Sequence, residues 1–287
     1  MLPVHIKAQD QQDRLAGRPT LVAIKSVPIL PSGSAKLTEV LHELTLMRDL
    51  HCENILTMDA LYVDPIEDTL WIRMELMTKS LYSIIDLSKA GLKLLDPTIA
   101  GCTKDILSAL EYLRIHNIVP KNICSRNILV NSHGVLKLTN LSSAVKLSMS
   151  SPANSEAFET QVAAAIGSNA ASLCLLVCYM VIGQRQRPPL HARVELGEGP
   201  PPSTFDQFMQ MYSDPEDWSA LSDITSRPLP FRKFIKMCFE PAVTSAGYQQ
   251  LLESPLVRNA CERPILAQLF AQCNAFETRL REQQRAR

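Results

Sequence analysis

The chain has 287 residues, enough to bury a large core in one two-lobed domain or two small ones. Apolar residues make up 46% and charged residues 20%, and 29 basic against 29 acidic side chains leave no formal net charge. That balance offers no basic stripe to nucleic acid or to an anionic membrane, so neither is expected as a partner. Eight cysteines include no C-x-x-C pair. With no secretory signal pattern, a reducing, cytoplasmic setting is expected. Cys174 and Cys178 lie four apart in an apolar run and are expected as buried thiols on one helix face. That run, 170–182, has thirteen residues, too few to span a bilayer, and reads as a buried core helix.

In chain order, Val4 to Ala8 alternates like a strand and Ala16-Gly17-Arg18-Pro19 is turn chemistry. Leu21 to Lys25 is a second strand. Ala35 to Leu50 carries Leu37, Val40, Leu41, Leu44 and Met47 at helical spacing, and Thr69 to Met77 reads as a strand. A longer helix is expected over 98–117, through Ile99, Cys102, Ile106, Leu110 and Leu113. Residues 150–167 form a Ser/Ala-rich stretch, after which a large apolar helix opens at 167–173 and ends at Gly183 as its C-cap. Residues 187–202 read as a Pro- and Gly-rich surface loop and 205–212 as a short helix. Pro264 to Arg285 is helical in period, ends in mixed charge and is expected as a solvated tail.

One stretch organises the rest: Val119 to Val130, V-P-K-N-I-C-S-R-N-I-L-V. It resembles the catalytic loop of the eukaryotic protein kinases, H-R-D-L-K-x-x-N followed by an apolar run. Asn127 falls on the loop asparagine. The His-Arg-Asp of the family becomes Pro120-Lys121-Asn122, and its loop lysine becomes Cys124. Downstream, L-K-L-T-N-L-S is similar to the strand leading into Asp-Phe-Gly, with Asn140-Leu141-Ser142 in place of that triplet. Upstream, V-A-I-K resembles the third strand, whose lysine grips the α- and β-phosphates, here Lys25. H-E-L-T-L-M-R resembles the αC helix, which makes Glu43 the expected ion-pair partner of Lys25.

Thr69 to Met77 resembles the fifth strand and hinge. The resemblance makes Met74 the gatekeeper and lets Glu75 and Leu76 offer backbone groups to an adenine edge. Ala23 and Leu129 match the apolar residues that sandwich adenine. The helix at 98–117 is similar to the one before the catalytic loop, and 231–241 and 248–257 to the late helices. Asn169 stands where the family has the aspartate that tethers the catalytic loop. No counterpart of the Gly-rich loop or of A-P-E is found, and the first strand is missing, which reads as a truncated lobe or an incomplete gene model.

The matches run in family order from about Val4 to Val257 and look nearest to the sterile-twenty-like branch, including the p21-activated kinases. They imply an α+β, two-lobed fold. A truncated N-lobe of antiparallel sheet would occupy 1–76, a helical C-lobe 77–262, and a C-terminal helical tail 263–287. The chemistry they imply is degraded. Asn122 cannot accept the proton of a substrate hydroxyl, and Cys124 brings no positive charge to a transferring phosphoryl group. Mg²⁺ prefers charged oxygens, whereas Asn127, the weak metal candidate, and Asn140 offer neutral carbonyls. The expected function is a catalytically inactive binding or scaffold module in signalling, with a protein partner such as an active kinase. Any ATP binding would depend little on Mg²⁺. The alternatives are a residual or atypical Ser/Thr kinase, favoured by Lys25, Glu43 and Asn127, and a non-functional fragment.

Overall fold

The computed structural model describes residues 21–29, 35–147, 155–183, 194, 199–212 and 218–285. The strand expected at 4–8 and most of the loop expected at 187–202 lie outside these residues. In the smaller lobe, β1 (Val22–Pro28), β2 (Met58–Asp64) and β3 (Thr69–Glu75) form an antiparallel sheet of order β1-β3-β2. Strand β3 is central, so its Leu70 and Ile72 are buried, and with Val27 of β1 they pack under Val40 of helix α1 (Ala35–Met47). The β2–β3 turn closes on Asp64, whose Oδ1 accepts the N–H groups of Ile66 (2.9 Å) and Glu67 (3.2 Å). That is the local bonding that makes aspartate a turn residue.

The larger lobe is helical, with its own core. One short strand at the lobe junction leads into it, β4 (Lys79–Ser80), followed by α2 (Leu81–Asp86) and then α3 (Asp96–Ile115). Strand β5 (Ile118–Val119) pairs with β8 (Val145–Lys146), and β6 (Ile128–Val130) with β7 (Leu136–Leu138), so the loop between β5 and β6 is held at both ends. Helix α4 (Ser155–Ile182) follows, and then α5 (Phe205–Met211), α6 (Trp218–Thr225), α7 (Leu229–Met237), three short helices, and α11 (Arg263–Arg285). The short ones are α8 (Pro241–Ala246), α9 (Gln249–Leu252) and α10 (Pro255–Arg258).

Two expectations change here. Helix α4 starts twelve residues before 167, where the large helix is expected to open, inside the stretch read as Ser/Ala-rich, and is 28 residues long. Ala157, Ala163, Ala164 and Ala165 lie in that stretch beyond its single proline, and alanine is the strongest helix former. By length and composition 158–182 could cross a membrane, yet 72% of its most apolar window is buried inside the lobe. It is the core helix that the apolar run implied, extended at its N-terminal end. Cys174 and Cys178 are both fully buried on it, and Gly183 ends it at φ +69°, where only a residue without Cβ avoids Ser88.

The second change is α11, which is packed rather than solvated. Leu266, Phe270 and Cys273 form one buried stripe, and Leu266 lies against Gly101 of α3. Gly134, at φ +79° in the β6–β7 turn, sits so close to Ala267 and Arg263 that a Cβ would come within 2.6 Å of backbone. Arg263 also donates to the buried carboxylate of Asp105 on α3, whose Oδ2 accepts the Leu136 N–H at 2.9 Å. Burial pushes the Asp105 carboxyl up, with Leu136 N–H and Arg263 opposing. A carboxyl raised on folding binds a proton more readily in the folded chain, so its contribution to stability falls as pH rises through the shifted range. Removing the cation raises it further. Arg263→Ala is therefore expected to destabilise by about 2 kcal/mol near pH 8 and by clearly less near pH 5. Denaturant melts at the two pH values measure this, and an equal loss at both would mean Arg263 does not serve Asp105.

Candidate functional site

The residues singled out by the loop and by the Asn140-Leu141-Ser142 triplet meet at the junction of the lobes. Asn127 ends a short 3₁₀ turn, Ser125–Asn127, and its backbone N–H bonds Cys124 O at 3.0 Å. Thr139 N–H returns to Asn127 O at 2.9 Å and so holds the triplet against the loop. Asn140 takes φ +62°, a left-handed conformation that asparagine tolerates and most residues avoid. The strands beneath are fastened from the small lobe, with Leu138 N–H bonding Asn54 O at 2.8 Å and Asn54 Nδ2 bonding Leu136 O at 3.0 Å.

The side chains form one neutral hydrogen-bonded chain. Ser142 Oγ donates to Asn140 Oδ1 (2.7 Å), Asn140 Nδ2 donates to Asn127 Oδ1 (3.4 Å), and Asn127 Nδ2 donates to Asn122 O (3.0 Å). Both side-chain oxygens that could face a metal ion are thus engaged by protein donors. No carboxylate takes part, and no group of three or more metal-type ligands occurs among the described residues. These residues do not fit a Mg²⁺ ion, which needs at least one charged oxygen here to compete with its hydration shell. Cys124 is buried beside this chain.

Glu43 works on both lobes. It is 2% exposed, lies 3.5 Å from Lys25 Nζ through Oε2, and accepts the Leu141 N–H at 2.9 Å through Oε1. The preceding residue, His42, bonds Ala144 O through Nε2 at 2.8 Å. Helix α1 is therefore fixed to the backbone on either side of Ser142. The Lys25 side chain is 38% exposed, so the charge balance is lopsided, with a buried carboxylate facing a half-open ammonium.

Around the expected adenine site, Ala23 faces Met74 across the β1–β3 ladder, and Met74 packs on the small core. Leu129 is half-buried and pairs with Ser80 and Lys137, while Leu76 is exposed. Glu75 has a role that its backbone alone did not suggest. Its carboxylate lies 2.7 Å from Lys137 Nζ and accepts from Asn131 Nδ2 at 2.9 Å. Burial pushes the Glu75 carboxyl up, but the Lys137 and Asn131 hydrogen bonds outweigh it and hold it below the usual range. Asn131 Oδ1 also accepts the N–H groups of His133 and Val135, both at 3.0 Å. Sequence reasoning missed this cluster. The only signal was a lysine inside L-K-L, a position that a strand buried on both faces must pair. Asn169 is buried and hydrogen-bonds the Tyr248 hydroxyl, whose pKa burial drives upward.

A family profile described as the protein kinase domain matches residues 14–164, just over half of the chain. The chain is 27% identical over 283 residues to serine/threonine-protein kinase hippo of Drosophila melanogaster, covering 93% of this chain and 38% of that protein. It is 25% identical over 258 residues to serine/threonine-protein kinase pakA of Dictyostelium discoideum, covering 85% and 20%. It is 32% identical over 140 residues to serine/threonine-protein kinase TAO3 of Rattus norvegicus, covering 47% and 14%. The chain thus spans well under half the length of these relatives.

Proposed function

This chain belongs to the protein kinase family, near its sterile-twenty-like branch, and we propose that it is a catalytically inactive member acting as a binding and scaffold module in signalling. The observation that carries this reading is the neutral chain that runs from the Ser142 hydroxyl through the Asn140 and Asn127 amides to the Asn122 backbone carbonyl, where the family carries its metal ligands. Asn127, the buried amide of the chain, has its side-chain nitrogen and oxygen both paired. Lys25 and Glu43 then serve as a brace between α1, β1 and the triplet backbone. The partner is a protein, in our reading an active kinase or a scaffold. None of the eight cysteines is in a disulfide, which suits a reducing cytoplasm.

ATP is expected to bind weakly or not at all, and indifferently to Mg²⁺. Lys25, Ala23, Met74, the Glu75–Leu76 backbone and Leu129 are the residues that would hold it. Thermal melts with ATP in Mg²⁺ and in EDTA test this. Equal shifts are the expected outcome. A tenfold gain in affinity with Mg²⁺, about 1.4 kcal/mol, would show that Asn140 and Asn127 do make a metal site. The second reading, a residual Ser/Thr kinase, draws on the Lys25–Glu43 contact and on Asn127, and would be favoured by that outcome.

A further inference from the structure

Helices α5, α6 and α7 enclose a groove of about 450 Å³, within the usual range for ligand sites. Its floor is the buried Ile224 and Ile235, and its walls are the half-buried Phe205 and Met209. Leu229, in the first turn of α7, is 54% exposed at its edge. Helix α7 explains the groove's charge. Phe231, Phe234 and Ile235 turn into the core, which leaves Arg232, Lys233 and Lys236 on the outer side of the same two turns. Arg232 Nε donates to Arg227 O at 3.1 Å, and Lys236 Nζ lies 5.8 Å from the Phe205 ring centroid.

Among the described residues none of these three cations is in an ion pair, and no aspartate or glutamate lines the groove. By contrast, Arg114, Arg227 and Arg263 of the same lobe are each held by a carboxylate. In a chain with no net charge, three cations within five residues, none of them ion-paired among the described residues, are a local feature rather than the trace of a basic protein.

We propose that this groove docks an acidic, amphipathic peptide segment of a partner protein. An apolar side chain of the segment enters between Phe205, Met209 and Leu229, and carboxylates on either side of it meet Arg232, Lys233 and Lys236. This is the helix-in-groove mode of recognition, with opposite charge supplying register and association rate. A concave slot with a cationic rim suits a side chain with flanking acids better than it suits a flat lipid surface. The groove shares no residue with the Lys25–Asn140 region, so it stands or falls independently of whether that region transfers phosphate.

The test selects binders from a random 16-residue phage-displayed library with the full chain. The selected peptide, fluorescein-labelled, is then titrated by anisotropy at low and high salt. Expected are sequences with a large apolar residue flanked by acids, binding that weakens with salt, and a loss of at least about tenfold in R232E/K233E and in Leu229→Asp. The substituted side chains are exposed, so circular dichroism should show all variants folded. Recovery of no acidic peptide, or binding indifferent to the charge reversal, overturns the proposal. So does a groove-dependent preference for phosphatidylserine vesicles, or self-association in sedimentation that R232E/K233E abolishes. It also fails if peptide binds only after Asp214, Glu216 and Asp217 are neutralised, since the chain's own acidic α5–α6 connection would then be the occupant.

Discussion

Incubated with radiolabelled ATP, Mg²⁺ and a generic Ser/Thr substrate, the purified chain is expected to incorporate no phosphate above background. Three separate requirements fail together. A positioned general base contributes about 10²–10⁴-fold, and the Asn122 side chain cannot take a proton. The loop lysine is replaced by Cys124, which is buried and brings no positive charge. In the proposed reading, the metal position holds the Asn140–Asn127 contact rather than a carboxylate. Because these losses act on base, charge and metal, single reversions should not rescue activity. Asn122→Asp leaves the metal term untouched. Asn140→Asp is conformationally mild, since aspartate also tolerates φ near +62°, and it removes the amide donor now held by Asn127 Oδ1. Even so, the base would still be missing. Incorporation that disappears in Lys25→Met would overturn the inactive reading.

Glu43→Ala is expected to destabilise the fold by about 3 kcal/mol, roughly a 5–10 °C fall in melting temperature for a domain of this size. The substitution leaves the buried Leu141 N–H without its acceptor and removes the counter-charge of Lys25. Lys25→Ala should cost less, about 1–2 kcal/mol, because its ammonium is partly solvated. It leaves the buried Glu43 carboxylate held by the Leu141 N–H without the Lys25 counter-charge. The double variant should then lose little more than Glu43→Ala alone, since removing the carboxylate also removes the stranded charge. Denaturant melts of the three variants measure the cycle. Strictly additive losses would mean that the two side chains do not act as a pair.

Much of this site was legible because kinase motifs are local. V-A-I-K, H-E-L, R-N-I-L-V and N-L-S each name a position by its neighbours, and together they foretold a Lys25–Glu43 contact and brought Asn122, Asn127 and Asn140 into one place. Other parts were illegible because their partners are distant in sequence. Glu75 meets Lys137 and Asn131 across 62 and 56 residues. The Glu43 bond to Leu141 N–H spans 98, and no periodicity or spacing signals a bond of that kind.

That positions 122 and 140 carry amides, on which the proposed loss of base and metal carboxylate rests, is decided by the sequence alone, since no packing can make an amide accept a proton. So is the amphipathic face of α1, because its apolar spacing matches the helical turn. Only the tertiary structure decides that the three asparagine-bearing segments close into a neutral hydrogen-bonded chain, and that Glu43 is buried against both lobes. It alone decides that α11 packs on α3 instead of trailing in solvent, where Gly134 lets two backbones touch and Arg263 reaches Asp105. The physical reason is the same in each case. Burial and hydrogen-bond pairing are properties of distances between segments, and a sequence states only the distances along one.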